Sequence, residues 1–281
     1  MSTSLDEARA KFAESLRRLA GLRSEALVHA FGAVPREDFV GPGPWKILVL
    51  PDVAYRDTPD ADPRHLYENV LVALDPSRFL NNGEPATLAR WLDAFDLKAG
   101  DRFLHLGCGV GYYTAIAAEV VSRSGRVLAV EVDATLAERA RRNLGRYDHA
   151  TVVRGDGTDL EKAAFDAILV NAGATHVPPS WPAALRPGGR LLVPLTVDLP
   201  DMDVGLGQML LITQVGSRYD ARFVSPVGIY HCAGARTAEG EASLRRAYAG
   251  SDEQSVRELR LGEHPSDERC WLHSPVCCLS R

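Results

Sequence analysis

The chain has no excess of basic residues: 32 Lys and Arg stand against 37 Asp and Glu, a formal net charge of −5. A surface built to neutralise phosphates clusters Lys and Arg, so nucleic acid is excluded as an expected partner. The doublets Arg17-Arg18, Arg141-Arg142 and Arg245-Arg246 lie in helix-like stretches beside acids and read as solvated faces. Long hydrophobic runs are missing too. No window approaches the roughly 20 apolar residues of a bilayer span, and no charged-then-apolar leader opens the chain, so a cytoplasmic protein with no membrane partner is expected. Cysteine is scarce, and the five present form no regular framework, which fits reduced thiols. Cys270, Cys277 and Cys278 cluster near His264 and His273, but no Cys-x-x-Cys pair supplies ligand spacing. No metal site is expected, and these cysteines read as small side chains packing a terminal segment. Internal repeats and low-complexity tracts are absent.

What is present is apolar residue enough, 46% of 281, to bury the core of one large domain with appendages, or of two small ones. Three regions are expected: an N-terminal helical and irregular region over 1–84, an α/β core over 85–235, and a helical extension with an irregular tail over 236–281. Ala8, Phe12, Leu16 and Leu19 share one face of a helix running from Leu5 to about Leu22. Ser24 caps a second that reaches Phe31 and ends before Pro35, which pushes its predecessor out of helical geometry. Pro42, Pro44, Pro51, Pro59 and Pro63 predict irregular connection between Gly41 and Pro63, with one short strand at Ile47 to Leu50.

Order begins at Pro85, in the first turn of a helix that presents Leu88, Leu92 and Phe95 on one face. Strands at 102–106, 126–130, 151–153, 167–170 and 190–193 then alternate with helices, clearest over 112–121 and 134–144. Such alternation predicts a doubly wound α/β fold with a mostly parallel sheet. After Pro194 two strand-like runs, 208–215 and 221–230, are joined by Gly216-Ser217-Arg218-Tyr219, so the sheet is expected to hold seven strands and finish in an antiparallel hairpin. Pro187-Gly188-Gly189 reads as a turn before the fifth strand.

The chemistry starts at Gly107-Cys108-Gly109-Val110-Gly111, placed after a predicted strand and before a predicted helix. Glycines there permit a tight turn and close approach of backbone to ligand, and the helix offers free N–H groups. Nicotinamide-binding loops place a third glycine one residue later, where this chain has Tyr112, so a dinucleotide is disfavoured. Glu131 ends the second strand, where a carboxylate accepts hydrogen bonds from ribose hydroxyls. Gly155-Asp156-Gly157 ends the third, where a carboxylate can accept from the amino group of adenine. Asn171, Ala172 and Gly173 end the fourth, at the sheet edge where open α/β folds bind ligands. This set predicts an S-adenosylmethionine site. An Asn-Pro-Pro-aromatic sequence is not there, which disfavours methylation of a flipped adenine.

With these motifs in order, the chain resembles the protein-L-isoaspartate O-methyltransferases from about Leu22 to about Tyr230. The segment Ala33-Val34-Pro35-Arg36-Glu37-Asp38-Phe39-Val40 looks like that family's N-terminal signature, and Ala54-Tyr55-Arg56-Asp57 like the segment that follows. The glycine loop with Tyr112, then Glu131, Gly155-Asp156-Gly157 and Gly207-Gln208-Met209-Leu210 complete the match. The resemblance implies a Rossmann-like methyltransferase fold and a cofactor site lined by Gly107, Cys108, Gly109, Gly111, Tyr112, Glu131, Asp156, Gly157, Asn171 and Gln208.

The acceptor half departs from the family. Its Gly-x-Gly-Gln-Thr-Ile-Ser-Gln-Pro stretch, aligned on Pro85, becomes Leu80-Asn81-Asn82-Gly83-Glu84-Pro85, which puts Gly83 where the serine belongs. His105 stands where the first motif has an acid, Asp57 to Pro76 is a Pro- and Asp-rich insertion, and the chain past Thr237 is an extension. A carboxylate acceptor arrives ionised, and Asn81 or Asn82 would orient it, with Glu84 the third acceptor-side candidate. A hydroxyl, amine or carbon acid would need a base, for which Glu84, His65, His105 and His176 are candidates. The first expectation is therefore methylation of a different small-molecule or peptide acceptor. The alternatives are genuine isoaspartyl or aspartyl carboxyl methylation, and a non-catalytic protein that binds cofactor or partner. The sequence does not determine the oligomeric state.

Overall fold

In the computed structural model of the chain, which describes residues 4–50, 54–158, 160, 164–200, 202–262 and 264–281, helix α1 spans Leu5–Ala20. Pro51, one of the prolines of the predicted irregular stretch, lies outside the described residues. The Ser4 side chain accepts from the Glu7 N–H while Glu7 reaches back to Ser4, a capping box, and Gly21 ends the helix in the left-handed region. Ser24 caps α2, Glu25–Ala33, which runs two residues past the expected end yet still stops before Pro35. The short α3, Glu37–Val40, follows.

Residues 41–63 hold the expected short strand and a second one that was not expected, and both join two strands from beyond that stretch in a small antiparallel sheet. Its strands are β1 (Lys46–Leu48), β2 (Arg56–Asp57), β3 (Leu71–Asp75) and β4 (Leu80–Asn81), in the order β2-β1-β3-β4. Strands of two to five residues carry no readable period, and the stabilising partners are remote in sequence. Trp45, Ile47, Leu66, Val70 and Val72 bury a core beneath it. The buried Arg36 guanidinium donates to the carbonyls of Leu66 at 2.9 Å and Val70 at 2.7 Å, satisfying backbone that no ladder reaches.

Helix α4, Pro85–Ala94, then leads to β5 (Arg102–Leu106), α5 (Tyr112–Val121), β6 (Arg126–Glu131), α6 (Ala134–Asn143), β7 (Ala150–Arg154) and β8 (Phe165–Val170). After α7 (Ser180–Ala183) come β9 (Leu185–Asp198), β10 (Val204–Val215), β11 (Arg218–Tyr230), α8 (Ala238–Ala249), β12 (Glu258–Leu261), β13 (Cys270–His273) and β14 (Cys277–Ser280). The main sheet has the order β13-β14-β12-β11-β10-β9-β8-β5-β6-β7. Pairs β5/β8 and β8/β9 are parallel, and every described pair from β9 outward to β13 is antiparallel. The seven expected strands are β5 to β11. Three more extend them, formed by the tail that was expected to be irregular, because Leu259, Leu272, Cys277 and Leu279 enter the core only once β11 offers an edge to pair with. Two turns also differ. Pro187-Gly188-Gly189 lies inside β9 as a bulge, the register moving from Phe165↔Leu185 to Ala167↔Arg190, and β10 meets β11 through Gly216-Ser217 alone.

The chain divides into two units. The first is Met1–Gly100, Cys108–Val127 and Asp133–Val152; the second is Asp101–Gly107, Leu128–Val132 and Val153–Arg281. In the first, α2 packs on α5, with Phe31 and Phe39 edge-on to the Tyr112 ring. In the second, Leu104, Ile168, Leu191, Ile212 and Phe223 form the heart of the core.

Candidate active site

Backbone pairing in the second unit carries several of the expected residues to one sheet edge. The Gly107 N–H donates to Val130 O at 2.8 Å, Asn171 N–H to Leu106 O at 2.8 Å, and Gly155 N–H to Glu131 O at 3.1 Å. These bonds prolong the ladders past the carboxyl ends of β5, β6 and β8, the binding edge of open α/β sheets. Gly107, Glu131, Asn171 and the Gly155-Asp156-Gly157 turn are thereby neighbours. Glu131 is buried. The Asn171 amide lies 3.5 Å from Gly107 O. Asp156 Oδ1 accepts from the Thr158 N–H at 3.0 Å and its hydroxyl at 2.9 Å, which holds the carboxyl below its usual range. Gly157 O accepts from the Trp181 indole at 2.8 Å, which anchors the turn.

The first unit holds the rest of the loop and α5. Gly109 sits at φ 57, and a Cβ there would meet nothing within 4 Å, so the left-handed backbone rather than crowding demands glycine and its open side can admit a ligand. Gly111, φ 91, is the N-cap of α5 and offers no side-chain cap. Cys108 is buried. Tyr112 is buried too, in the aromatic contacts of α5 with α2 and α3, so its ring has a packing role. Gln208 is the outlier of the set: β10 lies three places from β5, about 14 Å at the usual interstrand spacing. Its N–H is taken by the Tyr248 hydroxyl at 3.1 Å.

On the acceptor side the structure separates the three candidates. Asn81 is committed at both ends, accepting from the Tyr55 hydroxyl at 2.6 Å and donating to Phe79 O at 2.7 Å. Glu84 accepts from Asn69 Nδ2 at 3.0 Å and from the Thr87 hydroxyl, a local bracket for the start of α4. Asn82 is buried, and its Nδ2 has no hydrogen-bond partner. Gly83 adopts φ 72, and its carbonyl accepts from the Tyr113 hydroxyl at 3.0 Å. The histidines fare poorly as bases. Burial pushes His105 down to about 3, so it is neutral throughout the physiological range. Burial lowers His176 as well, and His65 Nε2 is 2.9 Å from Asp60 Oδ1 in the short 3-10 helix Pro63–Leu66.

Sequence reasoning missed Arg236. Its guanidinium reaches Gly173 O at 2.9 Å, Thr196 Oγ1 at 3.0 Å and Glu241 at 2.7 Å, and also engages Asp198, fixing the segment that follows Asn171. Nothing local marks an arginine between Ala235 and Thr237 for this; the partners converge only in three dimensions.

The doubly wound sheet, the strand-end carboxylates and the left-handed glycine loop with an uncapped helix after it fit S-adenosylmethionine and define a class I methyltransferase. The family model of protein-L-isoaspartate(D-aspartate) O-methyltransferase matches residues 7–204, and the chain belongs to that family. A protein-L-isoaspartate O-methyltransferase of Pyrobaculum neutrophilum is 33% identical over 77% of this chain and 95% of its own length. One from Methylorubrum extorquens is 34% identical over 79% and 86%. Among solved structures, a protein-L-isoaspartate O-methyltransferase aligns with a TM-score of 0.66 at 20% identity, covering 97% of this chain and 87% of that one. A Plasmodium falciparum protein described as a putative member, in complex with S-adenosyl-L-homocysteine, aligns at 0.60 and 17% identity over 80% and 97%.

Proposed function

We propose that the chain methylates the free carboxylate of isoaspartyl residues in peptides or proteins. The observation that carries this reading is the family match itself, whose bounds, residues 7–204, take in the acceptor-side segment 80–85 as well as the glycine loop. It replaces the different acceptor expected from the loss of the serine at Gly83. S-adenosylmethionine, when bound, supplies a methyl group on a sulfonium, open to in-line displacement. The acceptor carboxylate is ionised at neutral pH, so no proton has to be removed, which agrees with the neutral His105 and the committed Glu84. The protein's work is alignment and exclusion of water. Glu131 would accept from the ribose hydroxyls, the second oxygen of Asp156 would accept from the adenine amine, and the Asn82 amide, which has no partner in the fold, would donate to the acceptor carboxylate in place of the missing hydroxyl.

The test is methyl-ester formation on an isoaspartyl peptide, with the aspartyl peptide of the same sequence as control and calorimetric titration of S-adenosylmethionine alongside. Base-labile ester on the isoaspartyl peptide alone is expected. A protein that binds the cofactor yet esterifies neither peptide refutes the acceptor.

A further inference from the structure

We propose that the C-terminal strands hold a structural zinc ion between His264, Cys270, His273 and Cys278. One ligand atom from each of these side chains lies within 4.8 Å of the other three. A tetrahedron with Zn–S bonds of about 2.3 Å and Zn–N bonds of about 2.0 Å has edges of roughly 3–4 Å, so closing on an ion asks for side-chain movements of about an ångström. Two thiolates and two imidazoles with no carboxylate in the set suit Zn2+ in a closed, four-coordinate, non-catalytic site.

Strand pairing builds the cluster. His273 faces Cys278 across β13 and β14, and the register shifts between Cys270 and Leu272. Successive strand residues alternate faces, so residues three apart normally point opposite ways; the extra residue of the bulge returns Cys270 to the face of His273. His264 arrives from the loop after β12. Its Nδ1 lies 2.8 Å from Pro265 O, and a carbonyl only accepts, so Nδ1 carries the proton and Nε2 keeps its lone pair. That Nε2 is buried with no hydrogen-bond partner, and so is His273 Nδ1. Unpaired buried nitrogens are costly, and two of them on the histidines of one cluster with two thiols point to a ligand. The Asp267 N–H donates to Cys270 Sγ at 3.4 Å, an outer bond of the kind that steadies a ligating thiolate. Cys277, next in sequence, alternates to the other face and packs in the core. All four ligands lie beyond residue 204, outside the family match. The site would tie the edge strand β13 and the loop after β12 to β14.

Elemental analysis of the full chain purified without chelator should find about one zinc per chain. After chelation and dialysis, added Co2+ should produce the intense visible bands of tetrahedral, thiolate-ligated cobalt, and the chelated protein should melt lower than the zinc form. Cys270→Ser and Cys278→Ser should lose the cobalt bands, whereas Cys277→Ser keeps them. Wild-type protein with less than about a tenth of an equivalent of zinc and only the weak spectrum of octahedral cobalt overturns the proposal without any variant. So does a Cys270–Cys278 disulfide in the purified chain, or full zinc occupancy in a variant carrying both Cys270→Ser and Cys278→Ser.

Discussion

Restoring the serine that this family carries at position 83 should damage the protein. Gly83 holds φ 72, where an L side chain costs about 1–2 kcal/mol. A Cβ would also stand 3.1 Å from Leu88 Cδ2 and 3.1 Å from Tyr113 Cε2, closer than ordinary contact. Tyr113 cannot easily retreat, because its hydroxyl is bonded to Gly83 O. Overpacking of this kind costs about 1–3 kcal/mol. Together these terms amount to about 2–5 kcal/mol, and at about 2–4 °C per kcal/mol the Gly83→Ser melting temperature should fall by on the order of 10 °C. Gly83→Ala should fall nearly as far, since the cost lies in the Cβ and the backbone rather than in the hydroxyl. Differential scanning calorimetry of both variants measures it, with turnover of the isoaspartyl peptide read below the transition. A serine variant that melts within about 2 °C of wild type and turns over faster would refute the reasoning: the backbone would then accept the family's residue, and glycine would be a dispensable change.

Other substitutions test the site from different sides. Glu131→Ala should weaken S-adenosylmethionine binding by about 1–3 kcal/mol, the scale of hydrogen bonds to a charged acceptor, and unchanged affinity by calorimetry in a folded variant would remove Glu131 from the site. Asn82→Ala should leave the melting temperature unchanged or raise it, because a buried unpaired amide is lost, while kcat/KM on the isoaspartyl peptide falls about tenfold or more; equal turnover would deny Asn82 its role. His105→Leu should gain on the wild type in acid. Burial depresses this imidazole from 6.5 to about 3, so the unfolded chain takes up the proton first, and the stability tied to the neutral ring is present above pH 6.5 and lost as the pH falls toward 3. The difference in melting temperature between variant and wild type should therefore move in favour of the variant between pH 7 and pH 5, and a pH-independent difference would contradict it.

The cofactor half was legible because its information is local. A strand, three glycines and a helix follow one another in the chain, and the carboxylates recur at strand ends whose spacing the alternation of elements dictates. The acceptor half resisted for the opposite reason. Asn81, Asn82 and Glu84 are adjacent and chemically similar, and only their distant partners, Tyr55 for Asn81 and Asn69 for Glu84, distinguish the committed amide and carboxylate from the Asn82 nitrogen that has none.

The sequence by itself determined the α/β alternation, the helix cap at Ser24 and the helix start at Pro85, the glycine loop, and Glu131 at the end of its strand, since each depends on backbone geometry within a few residues. Tertiary structure decided what depends on pairing between remote segments. It joined β1 to three further short strands in a sheet, turned Tyr112 into the core, tied Arg236 to Gly173 and Thr196, and paired the tail so that a bulge set Cys270 beside His273. Hydrogen-bond partners and register are set by closure of the fold, and neither has a period that a reader of the chain can count.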